Sequence, residues 1–142
     1  KRLTQLLAYP GKAVVQDFQR GVVFPAMHSF AQELNEHDVR TNIVNQVNER
    51  GSLRLEVAQG EEIDFVYEVQ VWRHPRPDRS VAGKALEDLP EDAIFYGAEV
   101  HLAEGGQDYD IMGWTQEQVV LDMLNQYETH LHFLRTVRHG GV

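Results

Sequence analysis

Apolar residues along this chain recur with two periods, and the period changes where the predicted elements change. From Lys12 to Glu36, Val15, Phe18, Val22, Ala26, Phe30 and Leu34 fall three or four apart. That spacing places them on one stripe of a helix. Pro25 interrupts the stripe and Gly21 loosens the same region. Proline removes a backbone donor and crowds the preceding turn, so a kink or two abutting helices are predicted. Lys1–Ala8 reads as one or two further helical turns, stopped by Pro10-Gly11.

The period then shortens to two. Val39–Glu49 is polar and asparagine-rich, with Ile43, Val44 and Val47, and reads as a strand; Asn48–Ser52 turns around Gly51. Leu53, Leu55 and Val57 alternate with Arg54 and Glu56, a half-buried strand. After a turn at Gln59–Glu62, the residues Ile63, Phe65, Tyr67, Val69 and Val71 alternate with Asp64, Val66, Glu68 and Gln70. One apolar and one largely polar face suits an antiparallel sheet covered on one side. Arg73–Asp92, with Pro75, Pro77, Gly83 and Pro90, predicts an exposed, mobile loop. Ile94, Tyr96, Ala98, Val100 and Leu102 alternate again, Gly105-Gly106 turns the chain, and Gln107–Met112 returns as a short edge strand.

A second helix follows. Thr115 is a suitable N-cap, and Gln118 three residues on completes a capping-box pattern. The helix runs to about Arg135, with Val120, Met123 or Leu124, Tyr127, Leu131 and Leu134 as its buried stripe. Gly140-Gly141 ends a frayed tail. The expected fold class is α+β: a two-layer sandwich, an antiparallel sheet of four or five strands with N- and C-terminal helices packed on one face.

Size and composition narrow the function. The chain has 142 residues, 42% of them apolar, which suits one globular domain. It has no apolar run of the length a membrane helix needs, and no signal peptide is visible. Lys1, not Met, at the start is expected of a piece cut from a longer chain. Cysteine is absent, which excludes disulfides and thiol catalysis. A net charge of −9 argues against nucleic-acid binding, which needs cations to displace condensed counterions. The charge is uneven: Lys1, Arg2, Lys12 and Arg20 stand against Asp17 in the first twenty residues, so the rest carries −12. A basic start on an acidic body is the arrangement expected beside an anionic membrane leaflet, although solvated helix faces often look the same.

Chemistry-bearing patterns are sparse. His130 and His132 are two apart, which on a helix points them about 200° from each other. His28, His37, His74, His101 and His139 lie in different elements, and no histidine–carboxylate pair at helical spacing stands out. No metal or cofactor is expected on that basis. Asp108 and Asp110 flank Tyr109 and on a strand would share a face. Paired acids could move protons. Charge on an edge strand that discourages sheet-to-sheet association is the stronger reading. Trp72, Trp114, Tyr67, Tyr96, Tyr109 and Tyr127 could suggest an aromatic cage for a quaternary ammonium, but Tyr67, Tyr96 and Tyr127 fall on predicted core faces.

The run from Ala98 to Leu134 is more specific than any of these patterns. Its pieces Ala98–Leu102, Glu104–Asp110, Met112–Trp114 and Gln126–Leu134 resemble the cytosolic C-terminal domain of BetT-type choline transporters, in the betaine/carnitine/choline transporter family. Leu53–Val69, Lys1–Pro10 and Val22–Met27 fit the same family, while Arg73–Asp92 and the residues after Arg135 match it least. The resemblance implies a parent that moves choline-like compounds into bacteria and a domain that tunes uptake to osmotic stress. It implies a juxtamembrane segment at 1–10 following the last membrane helix, a regulatory domain at 11–137 and a tail at 138–142. It implies a place on the cytoplasmic face of the bacterial inner membrane, with the transmembrane core of the same transporter, and anionic inner-leaflet lipid, as partners. No catalytic residue is expected. Lys1, Arg2, Lys12 and Arg20 are the candidate contacts to membrane or transport core, and Gln107, Asp108 and Asp110 the candidate family-motif surface. A small-molecule sensor with a pocket between sheet and helices is the alternative. A stand-alone enzyme is disfavoured, because no convergent set of nucleophile, base and metal ligands is visible.

Overall fold

Five strands form one antiparallel meander, in the spatial order β1-β2-β3-β4-β5. They are β1 (Arg40–Gln46), β2 (Ser52–Gln59), β3 (Glu62–Pro75), β4 (Ile94–Leu102) and β5 (Tyr109–Asp110). The computed structural model describes residues 9–79, 83–103 and 105–140, with side chains described as far as Thr136. The turns predicted for Lys1–Ala8 lie outside those residues.

The N-terminal helical region comprises α1 (Lys12–Phe18), a π-helical turn (Gln19–Val23) and α2 (Phe24–Glu36). The break expected at Pro25 is therefore a widened turn in an otherwise continuous run. Phe24 donates its N–H to the Gln19 carbonyl, five residues back, and Pro25, with no N–H to place, opens the next helix. The wide turn aims Gln19 into the core, where its Nε2 donates to the carbonyls of Gly51 (2.8 Å) and Val69 (3.0 Å). The predicted strand Val39–Glu49 is split: β1 ends at Gln46, and Val47–Arg50 forms a single turn, α3, closed by Gly51 at φ +64. The C-terminal helix, α4 (Gln116–Gly140), extends past the predicted end near Arg135. Thr115 and Gln118 cap it reciprocally, Thr115 N–H to Gln118 Oε1 at 2.8 Å and Gln118 N–H to Thr115 Oγ1 at 3.2 Å.

Alternation along the strands puts Leu53, Leu55, Val57, Phe65, Tyr67, Val69, Ala98 and Val100 in one core with Val15, Phe18, Val23, Met27 and Phe30 of the first helical region and Val119 and Met123 of α4. Both layers of the predicted sandwich are present. Ile63 departs from its predicted core position and is 57% exposed. Val57 pairs with Phe65 while Ala58 pairs with Ile63, so Asp64 is an inserted residue on β3. An insertion in a period-two element turns the residues beyond it to the opposite face. The bulge therefore places Ile63 beside Ala58 on the open side.

The stretch predicted as an exposed loop is partly packed. β3 continues to Pro75 and pairs as far as Ile94. Leu89, Ala93 and Ile94 form a second small core, with Leu86 and Tyr96 against it. Arg76 holds the return, its N–H on the Ala93 carbonyl (2.8 Å) and its guanidinium on both oxygens of Asp78 (3.1 and 2.8 Å).

Candidate functional site

The β4–β5 hairpin carries polar side chains on both faces of the sheet. On the covered face, Tyr67 of β3 and Tyr109 of β5 stand on either side of β4 and aim their hydroxyls at α4. Both donate to Asp122 Oδ2, at 2.7 and 2.6 Å. Gln126 Nε2 donates to the Tyr109 hydroxyl at 3.1 Å, and the Trp114 indole stacks beside the Tyr109 ring. Burial, and then the hydrogen bond to Asp122, push both phenols far above their usual range, so they hold their protons and act as donors. This set joins the sheet to α4. Tyr67 is fully buried and the hydroxyls of Tyr67 and Tyr109 are engaged, so these two of the aromatic residues considered as a cage serve as packing and anchoring groups.

The Asp64 bulge makes a second feature. Asp64 Oδ2 lies 3.2 Å from Nε2 of the buried His130 on α4, whose ring packs on Phe65. Beside the pair is a cavity of about 560 Å³ between sheet edge and helix, with Leu102, Gln126 and Phe133 in its walls. Burial of His130 and exposure of His132 agree with their opposed directions on the helix.

On the open face, strand pairing assembles what spacing alone had left apart. Glu99 and His101, two residues apart on β4, share that face, and the Gly105-Gly106 turn brings Asp108 over them. His101 sets Nε2 3.4 Å from Glu99 Oε1 and Nδ1 3.1 Å from Asp108 Oδ2. His74 Nε2 approaches the other Glu99 oxygen at 3.8 Å. Trp72 lies against the His101 ring and Phe95 stacks on His74. Histidine–carboxylate pairing at helical spacing does not reveal this group, because i, i+2 is the same-face spacing of a strand.

Asp110 has a local duty. Its Oδ1 accepts from the N–H groups of Ala98 (3.1 Å) and Met112 (2.8 Å), tying β5 and the following turn to β4. Its carboxylate lies over Gly97, where an added Cβ would come within 2.5 Å of Oδ2. Gln107 is exposed, and Asp108 pairs with His101. The predicted edge strand Gln107–Met112 is shorter than expected, with ladder pairing confined to Tyr109 and Asp110.

Of the candidate basic contacts, Lys1 and Arg2 lie outside the described residues. Lys12 is exposed at the start of α1. Arg20 bonds Asp17 at 3.2 Å and also Asn48. The chain enters the fold beside the β3–β4 return, where Pro10 accepts from Tyr96 N–H (2.8 Å) and the Arg76 guanidinium lies 4.3 Å from the centre of the Tyr9 ring. Between α2 and α4 runs an apolar groove of about 780 Å³, floored by Phe30, Val120 and Leu124 and edged by Glu33, Glu117 and Glu128. No described helix is long and apolar enough to cross a membrane.

No protein-family model matches the chain. Curated relatives do. A high-affinity choline transport protein of Escherichia coli (strain K12) is 36% identical over 142 residues, covering 97% of this chain and 20% of that protein. An osmo-dependent choline transporter, BetT2, of Acinetobacter baylyi is 31% identical with the same coverage. A glycine betaine transporter of that organism is 32% identical over 139 residues. The chain spans about a fifth of the length of these relatives. It is homologous, along nearly its whole length, to one segment of bacterial choline and glycine betaine transporters.

Proposed function

We propose that this chain is the cytoplasmic C-terminal regulatory domain of a choline or glycine betaine transporter, tuning uptake to osmotic stress. The observation that carries the reading is coverage: 97% of the chain aligns with relatives that are transporters, while filling only 20% of each. No described helix is able to span a bilayer, so on this reading the chain acts on transport through the membrane-embedded remainder, which is its natural partner. That one relative is named osmo-dependent supports the osmotic part of the proposal.

The mechanism we favour is electrostatic. Residues 1–10 serve as the juxtamembrane link, whose Tyr9 and Pro10 meet Phe95, Tyr96 and Arg76, and residues 11–137 as the responding body. Lys1, Arg2, Lys12 and Arg20 lie towards anionic lipid or cytosolic loops of the transport core. Arg20 does so less readily, because Asp17 and Asn48 already hold it. Contacts of this kind weaken as cytoplasmic ionic strength rises, since screening acts over about 8–10 Å at physiological salt. The acid-edged groove between α2 and α4 offers apolar surface for the docked state. The reading assigns the chain no reaction of its own.

The test is choline and betaine uptake by the full-length transporter in proteoliposomes, followed against osmolality. Deleting residues 11–137 should leave saturable uptake but flatten its osmotic response, and replacing the four cations with Gln should move the threshold. An unchanged activation curve after the deletion would sink the regulatory reading. The cavity beside Asp64 and His130 favours a second reading, a small-molecule sensor. Calorimetry with choline, betaine and nucleotides separates the two, because stoichiometric micromolar binding is expected only of the sensor.

A further inference from the structure

We propose that Glu99, His101 and Asp108 form a binding site for a divalent transition-metal cation of the zinc class on the open face of the sheet. Each offers a ligating atom, and the three atoms lie within 4.8 Å of one another. Atoms held about 2.0–2.2 Å from a shared zinc ion are at most about 4.4 Å apart. A tetrahedral shell sets its ligand atoms about 3.3–3.6 Å apart, so the group closes on an ion as the three side chains draw together.

Charge gives the second argument. The Glu99 side chain is 13% exposed, and a carboxylate so far removed from water needs a cationic partner. Among the described residues its ion-pair partners are His74 and His101, and that of Asp108 is His101. No Lys or Arg serves either. Two carboxylates converge on the His101 ring, an arrangement that calls for positive charge between them. A dication supplies it.

Hydrogen bonding gives the third. Nε2 of His101 and Nε2 of His74 are shielded from solvent yet have no hydrogen-bond partner among the described residues. Both approach Glu99, at 3.8 Å from His74 and 3.4 Å from His101, without forming a hydrogen bond. A metal ion is the partner the His101 nitrogen lacks. His74, on the far oxygen of Glu99, orients that ligand. An imidazole with two carboxylates suits zinc and its transition-metal neighbours, whereas magnesium and calcium favour all-oxygen shells.

The proposal stands apart from the regulatory reading and is tested on the 142-residue chain itself. Zinc chloride is titrated calorimetrically into metal-stripped protein at pH 7.5. One equivalent should bind with micromolar or tighter affinity, and magnesium and calcium should give no saturable signal. His101→Ala and Asp108→Asn should each weaken binding by at least the roughly 10- to 100-fold that loss of an orienting partner alone causes. His28→Ala, on an exposed helix position, should change nothing. Cobalt offers an independent check, because its visible absorption should show a nitrogen ligand that disappears in His101→Ala. Circular dichroism establishes that the variants keep their fold. Absence of saturable zinc binding overturns the proposal, and so does zinc binding that survives in both His101→Ala and Asp108→Asn.

Discussion

On the covered side of the β4–β5 hairpin, Asp122 receives two phenolic O–H groups; on the open side, the ion-pair partners of Glu99 and Asp108 among the described residues are imidazoles. The carboxylate chemistry is the same and the satisfaction is opposite. Asp122 sits among donors that keep their protons over the whole physiological range, so its charge is met by hydrogen bonds that never switch off. The outer pair depends on partners whose charge is conditional. The first arrangement holds a helix to a sheet. The second suits a group that responds to something added.

The largest effect should come from the inner side. Asp122→Ala removes the acceptor of two hydroxyls, and that of Tyr67 has no water to turn to. Stranding a buried donor costs about 1–3 kcal/mol, and the Tyr109 bond adds a smaller share, so a loss of about 2–4 kcal/mol is expected in urea or thermal unfolding. Asp108→Ala should lie within about 0.5 kcal/mol of the parent, because it trims an exposed side chain and relieves like-charge crowding beside Glu99. Equal losses from the two substitutions would erase the distinction between the faces.

Much of the fold was legible, because β2, β3 and β4 carry clean period-two patterns and the cap Thr115–Gln118 is local. The failures share a cause. Ile63 was misplaced because one inserted residue, Asp64, reverses a face, and no propensity marks an insertion. The stripe of α4 was read in part: Met123 is buried and Val120 and Tyr127 pack against the core, but the fully buried Val119 and the buried His130 were missed, and Leu124, the alternative to Met123, is exposed. Adjacent Val119 and Val120 leave the helical phase open, and His130 is buried with Asp64 for a reason hydropathy does not score. The inner network was illegible because its partners are 55 and 13 residues apart in sequence. The outer one was half legible, since Glu99 and His101 announce a shared face once β4 is accepted as a strand.

Gly97 allows a finer cut on the open face. A methyl group there meets the Asp110 carboxylate, which is pinned by the N–H groups of Ala98 and Met112 and cannot swing away without losing both. Gly97→Ala should therefore cost about 1–2 kcal/mol, the worth of one or two such bonds to a charged acceptor. In an Asp110→Ala background the same change should be nearly free. The coupling from the double-mutant cycle should exceed about 0.5 kcal/mol. Additive losses would mean that Asp110 does not clamp β5 over Gly97.

The smallest effect is one of slope, and it returns to the inner face. Tyr67 is raised well above its ordinary value of 10.0 in the folded chain, by burial first and by its bond to Asp122 second. Below pH 10 the folded and unfolded states both hold this proton, and the group makes no pH-dependent contribution. Above it the unfolded chain releases the proton while the folded one keeps it. Stability is then fully present on the acid side and falls with rising pH, by up to about 1.4 kcal/mol per pH unit from this tyrosine. Tyr67→Phe should flatten the decline measured by chemical unfolding between pH 10 and 11.5, relative to the parent chain. It should do so even if it lowers stability at pH 7 by removing a donor to Asp122. An unaltered alkaline slope in that variant would show that the Tyr67 hydroxyl ionises as freely in the folded chain as in the unfolded one, and the inner face would lose its claim to permanence.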